Sequence, residues 1–146
     1  MRRHSKAISQ LAGGDRRNVW LVPKTAPDAF MDAAFDNVDQ ADRMHACTTL
    51  DATPTYAEII AASLAVATMT PDTDFTKSDG DVSGRKVRVA AKSAIAVTAS
   101  GDANHVALVT VSGSVVRYVT TCTQQTLTSG NTVSFPAWDI EIADPT

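Results

Sequence analysis

Residues 103–142 read ANHVALVTVSGSVVRYVTTCTQQTLTSGNTVSFPAWDIEI, and this stretch decides the fold. Ala103 to Ser112 is apolar at alternate positions, Val115 to Cys122 follows, and Thr132 to Ile142 closes the series before Asp144-Pro145-Thr146. Runs rich in Val, Thr and aromatics, punctuated by Ser112-Gly113-Ser114 and Ser129-Gly130-Asn131, predict antiparallel hairpins. Pro136 has no N–H to give to a ladder, so it predicts an edge position or a bulge inside the last run.

The same period of two extends upstream. Leu64, Val66 and Thr68 alternate with Ala65, Ala67 and Met69, and Val87 and Val89 alternate with Lys86 and Arg88 in a half-solvated strand over Arg85–Ala91. Lys92-Ser93 reads as a tight connection to a strand over Ala94–Ala99, and Ser100-Gly101-Asp102 as the turn into the closing strands. Arg43 to Thr49 predicts another strand, with Met44, Ala46 and Thr48 on one side and His45 and Cys47 on the other. Pro71 to Gly84, rich in Asp, Ser and Gly, reads as a polar loop.

Two segments carry a helical period instead. Thr25 as a cap, Pro27 in the first turn and Asp28 at the positive end of the dipole predict a helix from about Pro27 to Val38. Its apolar face would be Phe30, Met31, Ala34, Phe35 and Val38. A weaker helical turn covers Thr55 to Ala62, with Tyr56, Ile59, Ile60 and Leu64 as its apolar face. Six to eight strands with one or two short helices predict a mainly β chain: an antiparallel β-sandwich or small barrel, with a helix on one side and an extended N-terminal arm.

Charge is distributed unevenly. Residues 1–24 carry Arg2, Arg3, Lys6, Arg16, Arg17 and Lys24 against Asp15, a net of +5, whereas residues 25–82 carry eleven acids against Arg43 and Lys77, a net of −9. This divides the 146 residues into a basic arm over 1–24 and a single β-rich domain over 25–146. Val19 to Val22 is a short apolar strand candidate within the arm, stopped by Pro23. A basic arm ahead of an acidic body is suited to docking on a neighbouring subunit. The acidic body repels a duplex, which argues against extended nucleic-acid binding. No apolar run approaches the ~20 residues that span a bilayer, and no apolar stretch follows the basic start, so the expectation is a chain with no membrane partner, made in a cytoplasm.

Catalytic signatures are scarce. His45 and Cys47 share a predicted strand face, and His105 and Cys122 lie on other strands, yet there is no C-x-x-C, H-E-x-x-H or G-x-S-x-G spacing to make a zinc site or a nucleophile of them. Two small buried thiols are the expectation for Cys47 and Cys122. Asp72, Asp74, Asp79 and Asp81 offer hard oxygen ligands without EF-hand spacing and read as a solvated acidic turn. Asp139, Glu141 and Asp144 flank a strand as its solvent face. No catalytic residue, metal or cofactor is assigned, and the expectation is a chain that is not an enzyme.

Several stretches resemble a family of small proteins encoded by tailed bacteriophages. They are Thr55-Tyr56-Ala57-Glu58, Ser83-Gly84-Arg85-Lys86-Val87, and Ala103-Asn104-His105-Val106-Ala107-Leu108-Val109. Leu127-Thr128-Ser129-Gly130-Asn131-Thr132-Val133 resembles that family's C-terminal block, together with Asp139-Ile140-Glu141-Ile142 and Asp144-Pro145. The resemblance covers about residues 27–146 and leaves the basic arm outside it. It implies a virion structural protein from a head or tail gene cluster, and carries over no catalytic residues. Physical reading and resemblance together lead to a capsid decoration or cement protein, made in the bacterial host and located in the virion. Its partners would be the major capsid protein or other virion subunits, and it would be a homo-oligomer or lattice-bound. Arg2, Arg3, Lys6, Arg16, Arg17 and Trp20 would contact the coat. A tail, connector or fibre-base subunit is the first alternative, and a host-surface glycan-binding module the second.

Overall fold

The computed structural model describes residues 26–145. Helix α1 (Asp28–Val38) begins after Pro27, whose φ of −57° suits a helix start, and places Asp28 in the first turn. Met31, Phe35 and Val38 are buried, a spacing of four and three that puts them on one face. Phe30, expected on that face, is 73% exposed, because it lies one residue off the stripe and points to the solvent side. Helix α2 (Tyr56–Ala62) is opened by a capping box: the Thr55 hydroxyl accepts from the Glu58 N–H, and the Glu58 carboxylate accepts from the Thr55 N–H at 2.6 Å. Only Ile59 of its seven residues is buried, and Ile60 stays 44% exposed.

Among the described residues nine strands form three antiparallel groups, β1 falling between the two helices and the rest after them: β1 (Arg43–Cys47), β2 (Ser63–Thr68), β3 (Phe75–Asp79), β4 (Arg85–Val89), β5 (Lys92–Ala96), β6 (Gly101–Thr110), β7 (Val115–Leu127), β8 (Thr132–Phe135) and β9 (Trp138–Ile142). One sheet runs β2-β1-β6-β7, a second β3-β4-β9, and β5 pairs with β8. Among the described residues 49% are strand and 15% helix, so the chain is mainly β as expected, and no sheet closes into a barrel.

The four-stranded sheet is covered on both faces, which its sequence alternation does not announce. Met44, Ala46 and Leu108 point into the main core with Phe35, Phe75, Val87, Val89, Phe135 and Ile140, contributed by α1 and the other two strand groups. Cys47, Ala107 and Val109 point the other way and form a second cluster with Leu50 and Ile59, so α2 lies over the outer face. Residues 44–47 of β1 and 107–109 of β6 are therefore buried whichever way they point, with His45 the polar member of this set.

Four expectations are corrected. The polar loop over Pro71–Gly84 contains β3: Phe75 buries its ring, Phe75 pairs with Val89 and Asp79 with Arg85, and tertiary pairing overrides the polar composition. The run Thr132–Ile142 is two strands in different sheets, because Pro136, without an N–H, ends the ladder between them. Gly101 opens β6 and is not part of a turn. Ser129-Gly130-Asn131 is a turn, with Gly130 at φ +91°, yet it carries the chain from one strand group to another and closes no hairpin. By contrast, Ser112-Gly113-Ser114 does join the paired β6 and β7, with Gly113 and Ser114 both at positive φ.

Candidate functional site

The six residues assigned from sequence to partner contact, Arg2, Arg3, Lys6, Arg16, Arg17 and Trp20, lie outside the described residues, as does the strand candidate Val19–Val22. The remaining candidates can be placed. His45 and Cys47 share the outer face of β1, and Cys47 pairs in register with His105 of β6. Burial pushes the Cys47 thiol up to about 12, and its Sγ lies 3.8 Å from the Ile59 carbonyl, so it stays a protonated, packed thiol and not a nucleophile. His45 is buried; its Nδ1 meets the Ser63 hydroxyl at 2.9 Å, and its Nε2 has no partner among the described residues. Among the described residues no group of three or more His, Cys, Asp or Glu side chains could hold a metal ion. Cys122, expected buried, is exposed, and both cysteines are free.

Of the four acids expected as a solvated turn, Asp74, Asp79 and Asp81 are paired with bases on neighbouring strands, Asp79 and Asp81 while still exposed. Arg85 bridges Asp32 of α1, at 2.9 Å, and Asp79 of β3, at 2.6 Å. The guanidinium holds the Asp32 carboxyl below its ordinary range. Lys77 reaches back to Asp36 and to the buried Asp39, and those two carboxylates raise its own pKa. Lys86 pairs with Asp81, and Arg88 with Asp139. Burial pushes Asp74 up, but the Lys92 ammonium at 2.6 Å and the Thr70 N–H outweigh it and leave the group lowered. With Asp74, Asp79 and Asp81 each committed to a base, the loop offers no convergent set of free oxygens for a hard cation. Glu141 and Asp144 accept from the Asp81 and Gly84 N–H groups and tie down the β3–β4 turn. Gly84 is required there: at φ +73°, a Cβ would stand 2.0 Å from the Ile142 carbonyl oxygen. Arg85, Lys86 and Lys92 therefore offset part of the acidic segment's charge in place.

The opposite character prevails where β7 meets the β8–β9 break. Ala46, Ala103, Val106, Leu127, Val133, Phe135 and Pro136 line a groove of about 370 Å³, with Cys122, Thr123 and Gln125 on its β7 wall. A second hollow of about 220 Å³ shares Val106, Cys122, Phe135 and Pro136 and ends on Trp138, so the two read as one depression. Its shape follows from two local events. Pro136 breaks the last run, and β7 bulges: three of its residues, Cys122 to Gln124, lie opposite the single Asn104 of β6 between the pairs His105–Thr121 and Ala103–Gln125. The Cys122 thiol, partly sheltered by the depression, is pushed up in pKa. Trp138 stacks obliquely on Tyr118 at 5.9 Å, and its buried Nε1–H has no acceptor among the described residues. None of these lining residues is charged. Among the described residues β7 is also the sheet's outer strand, thirteen residues long with Arg117 its one charge, and it presents main-chain groups and polar uncharged side chains beside the depression.

Sequence reasoning did not find this site. Pro136 was the one signal available, since a proline in a strand run marks a place where pairing stops. Compared with family models, curated proteins and solved structures, the chain finds no match.

Proposed function

We propose that the chain is a structural subunit of a tailed-bacteriophage particle, a decoration or cement protein that docks on the coat lattice. The observation that carries the reading is the uncharged apolar depression beside β7, the edge strand of its sheet among the described residues. Such a surface recognises another protein through shape and main-chain pairing, and an array of many such contacts holds by avidity even where each is weak. The resemblance over about residues 27–146 supports the same reading. In this reading the basic segment with Arg2, Arg3, Lys6, Arg16, Arg17 and Trp20 supplies a second, salt-sensitive contact to the coat.

Densitometry of purified particles tests it directly. Copies in a simple ratio to the major coat subunit support decoration; about five to twelve copies move the chain to a vertex, the neck or the tail; absence from particles overturns both virion readings. Deleting residues 1–18 is expected to weaken particle binding and flatten its salt dependence, and unchanged binding would remove the basic segment from the interface.

A further inference from the structure

His45 sits at the centre of the four-stranded sheet, paired with Val66 of β2 on one side and Ala107 of β6 on the other. It is 4% exposed, with one ring nitrogen on the Ser63 hydroxyl and the other without a partner among the described residues. Ser63 is also the C-terminal cap of α2, its N–H bonded to the Ile60 carbonyl. The histidine is thus tied to the end of the helix that covers this face. That helix is seven residues long, too short to persist without its packing, and rests on Ile59, Leu50 and Cys47 together with a bond from the Thr48 N–H to the Ala62 carbonyl.

We propose that protonation of His45 releases α2 from the outer face of the sheet, so that mild acid opens this cover while the main core stays packed. A neutral imidazole can satisfy Ser63 with Nδ1 and leave Nε2 as an unused acceptor. An imidazolium carries N–H on both nitrogens, and the Nε2–H then points a buried charge at apolar surroundings. The groups around it do not relieve this. On its own strand Arg43 repels the cation and Cys47 stays a neutral thiol; Asp42, just before the strand, attracts it, but its carboxylate already accepts from the Val111 N–H at 3.0 Å. β2 brings no titratable side chain; β6 brings His105, opposite Cys47; α2 brings Tyr56 and Glu58, the latter held by Thr55. Water reaching Nε2 is the available relief, and displacing the two-turn helix admits it at the least loss of packing. Burial, and secondarily Arg43, lower the histidine below its ordinary 6.5. A lowered histidine binds fewer protons folded than open, so the closed form weakens as pH falls below about 6.5.

Cys47 reports the opening, because the same helix covers it. In a Cys122→Ser background it is the chain's single thiol, and 4,4′-dithiodipyridine reads its exposure in mild acid. The reaction rate, divided by that of the urea-unfolded chain at each pH, is expected to rise at least tenfold from pH 7.5 to pH 5.0. With Trp20→Phe added so that Trp138 is the chain's single tryptophan, its fluorescence and the near-ultraviolet dichroism should hold constant across that range. His45→Leu should leave the normalised rate flat. A flat profile in the parent, the same rise in His45→Leu, or loss of the tryptophan signal in step with labelling would overturn the proposal. Should His45→Leu not fold, hydrogen exchange of the Ile59–Ala62 amides, followed with the His45 ring resonance in the unaltered chain, decides the same question: exchange that ignores the ring's titration overturns it.

Discussion

The α1–β3–β4 face and the β6–β7 hairpin solve opposite problems with the same antiparallel pairing. The first is laced by charge: Asp32 and Asp79 on Arg85, Asp36 and Asp39 on Lys77, Asp81 on Lys86, Asp139 on Arg88. Its outer strands, β3 and β9, carry Lys77, Asp79, Asp139 and Glu141, and charges on an edge discourage pairing with another chain. The second has thirteen residues of β7 with one charge and an uncharged depression at its side. Isolated surface ion pairs contribute only about 0–1 kcal/mol each, so the charged face is better understood as closing one side of the molecule to partners than as its main source of stability. The difference is one of character: the first face is laced by ion pairs, and the second carries an uncharged depression beside an edge strand of the described residues.

The comparison breaks most severely where the two regions share a core. Phe35 packs from α1 against residues of both strand groups, and Phe35→Ala is expected to cost about 3–5 kcal/mol, read as a lowered midpoint in urea. A loss under about 1 kcal/mol would mean that α1 contributes little to that core. Next in size is Lys77→Met, which leaves the Asp39 carboxylate, 4% exposed, without its cation. Since Lys77 itself is partly solvated, a loss of about 2–3 kcal/mol is expected, less than for a fully buried pair. Adding Asp39→Asn should restore part of it, and a double variant as unstable as the single one would refute the pairing account.

Acid separates the two regions by window. Asp32 and Asp74 are lowered from 3.8, so their contribution is present above that value and is lost as pH falls through the folded pKa. His45 acts earlier, below about 6.5. Melting temperature from pH 8 to pH 3 should therefore decline in two stages, with His45→Leu removing the first stage alone. Loss of both stages in that variant would merge what the comparison keeps apart. The smallest expected effect on stability comes from Thr123→Lys on the groove wall, within about 0.5 kcal/mol because the side chain is exposed. The same change should abolish particle docking by placing a charge in the depression, and full docking by a stable Thr123→Lys protein would exclude the groove as the contact.

Much of this was legible in the residues. The β6–β7 hairpin, β2, β4 and both helices followed from period and turn glycines, because those signals act between neighbours in the chain, whereas the expected Thr25 cap lies outside the described residues and Pro27 starts α1 with no side-chain cap bond. Other features rest on distant pairs. β3 exists because Phe75 meets Val89 and Asp79 meets Arg85. The outer face of β1 is buried because α2 returns over it, and part of the acidic segment's charge is offset because β4 delivers Arg85 and Lys86 to it. The groove needs Val106, Cys122 and Phe135 together, residues of three strands that share no local pattern. The sequence by itself determined a β-rich chain, its two helices and an irregularity at Pro136, since backbone preference and side-chain alternation are local properties. Only the tertiary structure decided which acids are neutralised, which thiol is buried and where an uncharged surface is left open, since these depend on which strands meet, and pairing is chosen by the whole core at once.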